Sequence, residues 1–187
     1  CVITITHSGY IKRQPQQIYK QKKRGGKGLI ATTTKEEDFV KDIFVTSTHS
    51  YILLFTNRGK VHWVKVYDIP EASRQSRGKA IVNLVNLHSE EKVTAYIPIK
   101  KFDDTKYLIM ATKNGTVKKT GLISYSNPRN GGIVAITLDP TDSLINVKLT
   151  DGNKEILLAT KNGIAVRFNE NDIRPTGRSA HGVRGIT

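Results

Sequence analysis

A fourfold internal repeat is the feature of this 187-residue chain that most restricts its fold. Each repeat begins with an apolar run, a threonine, two polar residues, a glycine and then a second run that contains apolar residues. The glycines recur at intervals of roughly 50 residues, a period typical of propellers and other repeat arrays. The four segments are 2–12, 52–62, 108–118 and 156–166, with their shared glycines at Gly9, Gly59, Gly115 and Gly163.

Each repeat is predicted to open with a β-hairpin. Asn114-Gly115 and Asn162-Gly163 favour a type I′ turn, in which both central residues have positive φ, and they lie between β-branched runs. About four short strands per repeat indicate an all-β, propeller-like fold rather than a helical solenoid. Further strand candidates follow the hairpins at 80–87, 92–98, 133–138 and 144–149. We expect one domain, with repeats at approximately 1–50, 51–106, 107–154 and 155–187.

The chain is strongly basic, with 30 Lys and Arg against 16 Asp and Glu and a formal net charge of +14. Such an excess destabilises a compact domain by self-repulsion, and it usually persists because an anionic partner offsets it. Nucleic acid is the expected partner. A membrane surface is the alternative, but no apolar run approaches the ~20 residues that span a bilayer. The chain also starts without the apolar stretch of a signal peptide, so we expect a cytoplasmic protein with no membrane partner.

A glycine-rich basic loop, which we call the basic box, lies in the first repeat. A backbone without Cβ atoms can lie flat against a polyanion and expose its N–H groups, while the neighbouring cations supply charge. The box is therefore predicted to bind phosphates, and a solvated basic turn is the alternative interpretation. Its residues are Lys22, Lys23, Arg24, Gly25, Gly26, Lys27 and Gly28.

A second glycine follows each hairpin at a similar distance, and cations recur beside it. Equivalent loops of successive blades are expected at equivalent places on a rim, so repeated cations would form a positive belt. Scattered solubilising charges, the alternative, would show no register with the repeat. The second glycines are Gly25, Gly78, Gly131 and Gly182. The further candidate DNA-binding residues are Arg74, Arg77, Lys79, Lys118, Lys119, Arg129, Arg174, Arg178 and Arg184, of which Lys118 and Lys119 belong to a hairpin.

The sequence shows no pattern typical of catalysis or metal binding. The five histidines are dispersed without His-Glu-x-x-His spacing, and the Gly-Lys pairs at 26–27 and 78–79 lack the Ser or Thr of a P-loop. Cys1 is the only cysteine, which excludes an internal disulfide and a thiolate zinc site. We therefore expect no catalytic residue, no metal and no cofactor in this chain.

These repeats resemble the C-terminal DNA-wrapping domain of the A subunit of bacterial DNA gyrase. The family's box, Gln-Arg-Arg-Gly-Gly-Lys-Gly, falls on Lys22 to Gly28, where Lys22 replaces the Gln and Lys23 the first Arg. The runs 66–84 and 172–186 also look like that family, and the resemblance covers the chain end to end. It implies a β-pinwheel of four-stranded blades that exchange strands, with about four of the family's usual six blades present.

The resemblance also implies a function. The chain would bind double-stranded DNA, mainly through its backbone, and wrap it around a basic rim. In the whole enzyme, an ATP-dependent type IIA topoisomerase of the nucleoid, this non-catalytic domain would direct negative supercoiling. The expected partners are the rest of the gyrase A subunit, with the gyrase B subunit completing a heterotetramer, and ATP and Mg are expected in that second subunit. Two alternatives stay open: the equivalent domain of topoisomerase IV, and a protein-binding propeller of the WD or kelch kind.

Overall fold

The computed structural model describes residues 1–19 and 38–187, and the regular structure of this part is all β apart from short 3₁₀ helices. The strands are β1 (Val2–Thr6), β2 (Tyr10–Gln14), β3 (Val40–Val45), β4 (Tyr51–Thr56), β5 (Lys60–Lys65), β6 (Lys79–Ala80), β7 (Val93–Ile99), β8 (Tyr107–Thr112), β9 (Thr116–Gly121), β10 (Ile133–Val134), β11 (Leu144–Thr150), β12 (Glu155–Ala159), β13 (Ala165–Asn169) and β14 (Val183–Arg184). The 3₁₀ helices are Gln16–Ile18, Val66–Asp68, Ile81–Asn83, Leu122–Tyr125 and Glu170–Asp172. No helix in these ranges has the length and apolar character needed to cross a membrane.

The strands form three four-stranded sheets and one two-stranded sheet within the described ranges. The strand orders are β3-β1-β2-β6, β10-β5-β4-β7 and β11-β8-β9-β14, with β12-β13 as the pair. We call them the first to fourth sheets in chain order. In each four-stranded sheet the hairpin occupies the two central positions, as the sequence predicted. The prediction of an all-β, propeller-like fold of four-stranded blades is confirmed.

All four hairpins turn through the sequence Thr-x-x-Gly. In each turn the glycine N–H donates to the threonine carbonyl, and the next N–H donates to the threonine Oγ1. The repeated threonine is thus explained by its hydroxyl, which completes the turn. The type I′ prediction is wrong because Asn114 and Asn162 do not have positive φ; among the described non-glycine residues only Glu90 does.

The outermost strand next to each of the first three hairpins comes from the following repeat. β6 pairs with β2, β10 with β5, and β14 with β9, all antiparallel. Each of these exchanged strands is two residues long. The strand exchange expected of a β-pinwheel is therefore present in three sheets.

The apolar run 80–87 was predicted as a strand, and that prediction is wrong beyond Ala80. Its partner β2 begins at Tyr10, and Ile81 N–H donates to the carbonyl of Gly9 in the turn. Beyond that point β2 has no further backbone groups to pair with this segment. The backbone therefore forms its hydrogen bonds locally, in the 3₁₀ helix Ile81–Asn83. The predicted strands at 92–98 and 144–149 are confirmed as β7 and β11.

The chain forms two compact units: Cys1–Tyr51 with Val64–Asn86, and Ile52–Trp63 with Leu87–Thr187. The core of the first unit is centred on β1, every residue of which is buried. In the second unit the apolar run of β4 and the centre of β8 are buried on both faces. Strands enclosed on both sides read as continuous apolar runs, which explains why these segments lack simple alternation.

Candidate nucleic-acid interface

The basic box, Lys22, Lys23, Arg24, Gly25, Gly26, Lys27 and Gly28, lies outside the described residues. Its predicted role in phosphate binding stays a prediction. Tyr19, the last described residue before the gap, donates its hydroxyl to Gln14 Oε1 at 2.6 Å at the end of β2.

The other predicted cations, apart from Lys118 and Lys119 in β9, lie on or beside three loops that lead into the exchanged strands. We call these the exchange loops: 70–78 before β6, 126–132 before β10 and 174–182 before β14. The first and third have the same backbone connections, because Ala72 N–H donates to the Arg13 carbonyl and Thr176 N–H to the Lys119 carbonyl. The loops are therefore structurally equivalent, which gives the register seen in the sequence a physical basis.

The second glycines allow each exchanged strand to approach the neighbouring hairpin closely. A Cβ on Gly78 would lie 2.4 Å from the carbonyl oxygen of Ile11, and one on Gly182 would lie 2.7 Å from that of Val117. In the second sheet the residue that makes this approach is Gly132, whose Cβ would meet the Val61 carbonyl oxygen at 2.8 Å. The sequence analysis assigned this role to Gly131, the residue before Gly132. A Cβ on Gly131 would meet nothing within 4 Å.

Most of the predicted cations of the exchange loops reach the surface. Arg77, Lys79, Arg129, Arg174 and Arg184 are exposed, and Arg74 and Arg178 are half-buried. Within the described ranges none of these seven side chains forms an ion pair with a carboxylate. Their charges are therefore available to an external anion.

Lys118 and Lys119 are different, because both residues are buried, with 1% and 2% relative exposure. Lys118 Nζ donates to the carbonyls of Ala135 and Arg178. Lys119 Nζ lies 3.2 Å from Glu170 Oε2. The expectation that these two lysines contact DNA is wrong, since neither ammonium can reach a phosphate outside the protein. The sequence could not distinguish them from surface lysines because their acceptors lie 17 to 60 residues away along the chain.

Lys12 is a third buried lysine, and sequence reasoning missed it. Its Nζ donates to the carbonyls of Ser73, Arg74 and Ser76 at 3.3, 2.8 and 2.9 Å. These acceptors all belong to the first exchange loop. The available signal was its place three residues after the hairpin glycine, which matches that of Lys118 in the third repeat.

Burial disfavours the charged form of Lys12 and Lys118. It lowers the pKa of Lys118 to about 8, with a further contribution from the positive charge of Arg178. Burial also lowers the pKa of Lys12. The carbonyl groups around each ammonium oppose this effect, because they are the acceptors that replace lost hydration.

Three cations converge on an open groove of about 500 Å³ in the second unit. Lys60, Arg129 and Arg178 line it together with Gly132, both residues of β10 and Ser179. We call the groove lined by these three cations the cation groove. No Asp or Glu is among its described lining residues. An uncompensated set of this kind favours an anion with several negative oxygens, such as successive phosphates of a nucleic-acid backbone.

Lys60 is a candidate residue that the sequence analysis missed. It directly follows the hairpin glycine of the second repeat, whereas Arg129 and Arg178 come from the third and fourth repeats. Strand exchange joins them, since Val134 pairs with Lys60 in the register of β10 and β5. An alignment of the four repeats could not reveal this cluster. It matches residues at the same position of each repeat and does not show which residues of different repeats pair in a sheet.

The described residues hold no recognisable metal centre. In this part of the chain, no group of three or more His, Cys, Asp or Glu side chains is placed to hold a metal ion. The expected absence of metals and cofactors stays a prediction.

A comparison with protein families matches this chain to the family described as DNA gyrase C-terminal domain, beta-propeller, over residues 2–47, 50–100, 106–151 and 154–187. The DNA gyrase A subunit of Clostridium acetobutylicum is 51% identical over 184 residues, covering 98% of this chain and 22% of the relative. The same subunit of Haemophilus influenzae is 48% identical over 185 residues, covering 99% of this chain and 21% of that relative. The chain thus spans about a fifth of the length of these curated relatives.

Solved structures agree with this assignment. The crystal structure of the C-terminal domain of DNA topoisomerase IV matches with a TM-score of 0.85 and 32% identity, over 100% of this chain and 56% of that one. A structure of a DNA gyrase A C-terminal domain matches with a TM-score of 0.74 and 26% identity, over 100% of this chain and 60% of that one. The strand exchange and the repeated sheets define a β-pinwheel. The chain belongs to the DNA gyrase C-terminal domain family.

Proposed function

We propose that this chain binds double-stranded DNA through the cations of its exchange loops and wraps the duplex. The observation that carries the proposal is the recurrence of exposed arginine and lysine, none of them paired with a described carboxylate, at the exchange loops of three successive sheets. Such contacts address phosphates and carry no base information, so sequence preference would arise mainly from DNA flexibility. The basic box, by its composition, would add to the same interface.

Energetic considerations require many such contacts. Bending a duplex smoothly costs on the order of 1–6 kcal/mol per 20–30 bp. Each phosphate contact releases counterions, so the affinity gained depends steeply on salt. An array of cations repeated along the chain can offset the bending cost where a single cluster cannot.

As a gyrase C-terminal domain the chain would be the non-catalytic part of a type II topoisomerase. We propose that it acts with the rest of the gyrase A subunit, and that the gyrase B subunit completes a heterotetramer and binds ATP and Mg. Wrapping the DNA segment next to the cleaved one would then give strand passage its negative-supercoiling direction. This role places the protein in the cytoplasm, associated with the nucleoid.

The equivalent domain of topoisomerase IV is a second candidate, since a solved structure with that description matches the chain over its whole length. Two observations favour gyrase. Identity to the gyrase A subunits reaches 51%, against 32% for the topoisomerase IV domain, and the basic box of residues 22–28 is nearly intact.

The first test is duplex binding by the full chain across a salt series. If about eight cations engage, log K falls with log salt at a slope near −7. Arg77→Ala and Arg178→Ala are each expected to weaken binding equally for unrelated DNA sequences and to reduce the slope by about 1. Arg167→Ala is the matched control, because Arg167 is exposed on β13 outside the exchange loops and near Glu155. A flat salt profile would favour a peptide-binding propeller instead.

The second test concerns the enzyme. In the intact gyrase, replacing Lys23, Arg24 and Lys27 by Ala is expected to abolish negative supercoiling and spare relaxation. Equal loss of both activities would refute a wrapping role for the basic box. The topology of DNA circles relaxed with this chain bound reports the sign of the wrap directly, and topologically unchanged circles would refute wrapping itself.

A further inference from the structure

One position of the repeat, three residues after the hairpin glycine, is buried in each of the three four-stranded sheets. It is occupied by Lys12, His62 and Lys118, which have 1%, 3% and 1% relative exposure. In each sheet a glycine of the next repeat packs against this residue or the one before it: Gly78 in the first sheet, Gly132 in the second and Gly182 in the third. The position therefore lies directly beneath an exchange loop.

The identity of this buried residue follows the structure of the loop above it. Where it is lysine, the loop has an arginine four residues before the second glycine: Arg74 above Lys12 and Arg178 above Lys118. Where it is His62, the residue four places before Gly132 is Pro128. This loop is also two residues shorter, counted from the last buried residue before it to the glycine that contacts the hairpin; those buried residues are Ile69, Tyr125 and Ile173 in the three loops. Within this chain the buried lysine thus occurs together with an arginine at that one loop position, whereas the loop above His62 has its arginine, Arg129, one residue later.

The contact between the two residues is the same in both sheets. Lys12 Nζ donates to the carbonyl oxygen of Arg74, and Lys118 Nζ donates to that of Arg178. In both sheets, therefore, the lysine binds the backbone carbonyl of the same arginine whose side chain we expect to contact DNA. Arg178 lines the cation groove, and neither arginine is tied to a described carboxylate.

A buried ammonium requires several acceptors in place of its hydration. Lys12 finds three loop carbonyls and Lys118 finds one loop carbonyl and Ala135. Without the lysine these carbonyls would turn to water, and the loop would lose its fixed conformation. An arginine on a fixed loop binds a phosphate with less ordering cost than one on a free loop.

We infer that Lys12 and Lys118 are positioning residues for DNA binding, each of which fixes the backbone of an exchange loop from inside and so presents Arg74 or Arg178 to a phosphate. The inference rests on the proposed DNA-binding function and deepens it. It assigns an effect on DNA affinity to two side chains that cannot touch DNA.

A double-mutant cycle on the full chain tests this inference. Arg178→Gln alone is expected to weaken duplex binding on the order of tenfold, as the loss of one charge-assisted hydrogen bond would. Lys118→Met is expected to weaken it by a similar factor. Because both changes remove the same phosphate contact, adding Lys118→Met to Arg178→Gln should cause little further loss. The pair Lys12 and Arg74 provides an independent repetition in the first unit.

Two control variants separate positioning from general effects of stability and charge. Tyr125→Phe removes another buried donor to the same Ala135 carbonyl but leaves the donor of the Arg178 carbonyl, Lys118 Nζ, in place. Lys148→Met removes one charge from the exposed face of β11. Neither is expected to reproduce the loss seen with Lys118→Met at a salt concentration and temperature where all variants are folded.

Lys118→His covers the case in which Lys118→Met does not fold, because the second sheet already carries a histidine at this position. Losses of Lys118 and Arg178 that add in full would overturn the inference, and so would wild-type affinity in both folded Lys118 variants. If the unaltered chain shows no salt-dependent DNA binding, the proposed function itself fails. If Arg178→Gln alone has no effect while the wild type binds, the arginine contact is refuted.

Discussion

Lys119 and Glu170 form a buried ion pair, with 3.2 Å between Nζ and Oε2 and side-chain exposures of 3% and 0%. The carboxylate also accepts hydrogen bonds from Thr150 Oγ1 at 2.8 Å and from Lys154 N–H at 2.7 Å. The lysine Nζ lies 4.5 Å from the centre of the Tyr107 ring. This network fastens the 3₁₀ helix Glu170–Asp172, which precedes the third exchange loop, to strand β9.

Lys119→Met is expected to destabilise the chain by about 3–5 kcal/mol, because it leaves the Glu170 carboxylate buried without its cation. The measurement is the free energy of unfolding from urea titration at pH 7. Burial raises the pKa of Glu170, but hydrogen bonds from Thr150, Lys154 and Lys119 outweigh it and hold the pKa below its ordinary value. The carboxylate is therefore charged at pH 7 in the native chain.

The control for this prediction is Lys119→Met combined with Glu170→Gln, because the second substitution removes the buried carboxylate charge that the first leaves without a partner. The double variant is expected to be less destabilised than Lys119→Met alone. A single variant within about 1 kcal/mol of the wild type would mean that the pair contributes no more than a surface ion pair.

Alkaline pH is expected to increase the contribution of Lys118 to stability. Burial, with the charge of Arg178, lowers the pKa of Lys118 to about 8 in the native state, whereas an unfolded lysine has a pKa of about 10.4. Between these values the unfolded chain holds a proton that the native chain has released, so the free energy of unfolding rises with pH. Urea titrations from pH 7.5 to 10 measure this slope.

Lys118→Met is the comparison for the alkaline series, and Lys148→Met controls for the loss of one charge. The difference in unfolding free energy between wild type and Lys118→Met should change in favour of the wild type as the pH rises through this range. A constant difference would show that Lys118 does not release its proton there.

The hairpins could be predicted from sequence because their signals are local. The apolar run, the threonine and the glycine of each turn are contiguous, and Thr112 and Gly115 interact within one turn. The exchanged strands could not be assigned, because a two-residue strand such as Ile133–Val134 carries little pattern and its partner β5 lies in another repeat. Sheet membership is decided by distant partners rather than by the segment itself.

The candidate interface was likewise predictable only where its signals are local in the sequence. A cation such as Arg178 could be placed on a repeated loop from the glycine register alone. Lys118, in the preceding repeat, also looks like a surface cation in the sequence, yet its acceptors Arg178 and Ala135 lie 60 and 17 residues away. Whether a lysine is inside or outside depends on such distant carbonyls, which composition and spacing do not reveal.

Gly132→Ala is expected to destabilise the chain more than Gly131→Ala, and the two neighbours form a matched pair. Both have positive φ, +77° and +86°, so both substitutions incur the left-handed cost of roughly 1–2 kcal/mol. Only at position 132 would the new Cβ also meet backbone, 2.8 Å from the Val61 carbonyl oxygen. The excess is expected at about 1–3 kcal/mol, measured by urea unfolding. Equal costs would show that β10 can move away from β5 freely.

Acidification below neutral pH is expected to destabilise the chain through His62. Burial lowers the pKa of His62, and the opposing charge of Glu91, whose Oε1 lies 3.6 Å from His62 Nε2, offsets this only in part. The unfolded histidine takes up a proton at pH ~6.5 and the native one only at a lower pH, so the free energy of unfolding falls as pH decreases through that value. Urea titrations of wild type and His62→Gln between pH 7.5 and 5.5 measure the effect. The wild type should lose more stability than the variant across this interval, because glutamine takes up no proton in either state. Parallel losses in the two proteins would mean that His62 binds its proton equally well when folded, in which case Glu91 compensates fully for the burial of the ring.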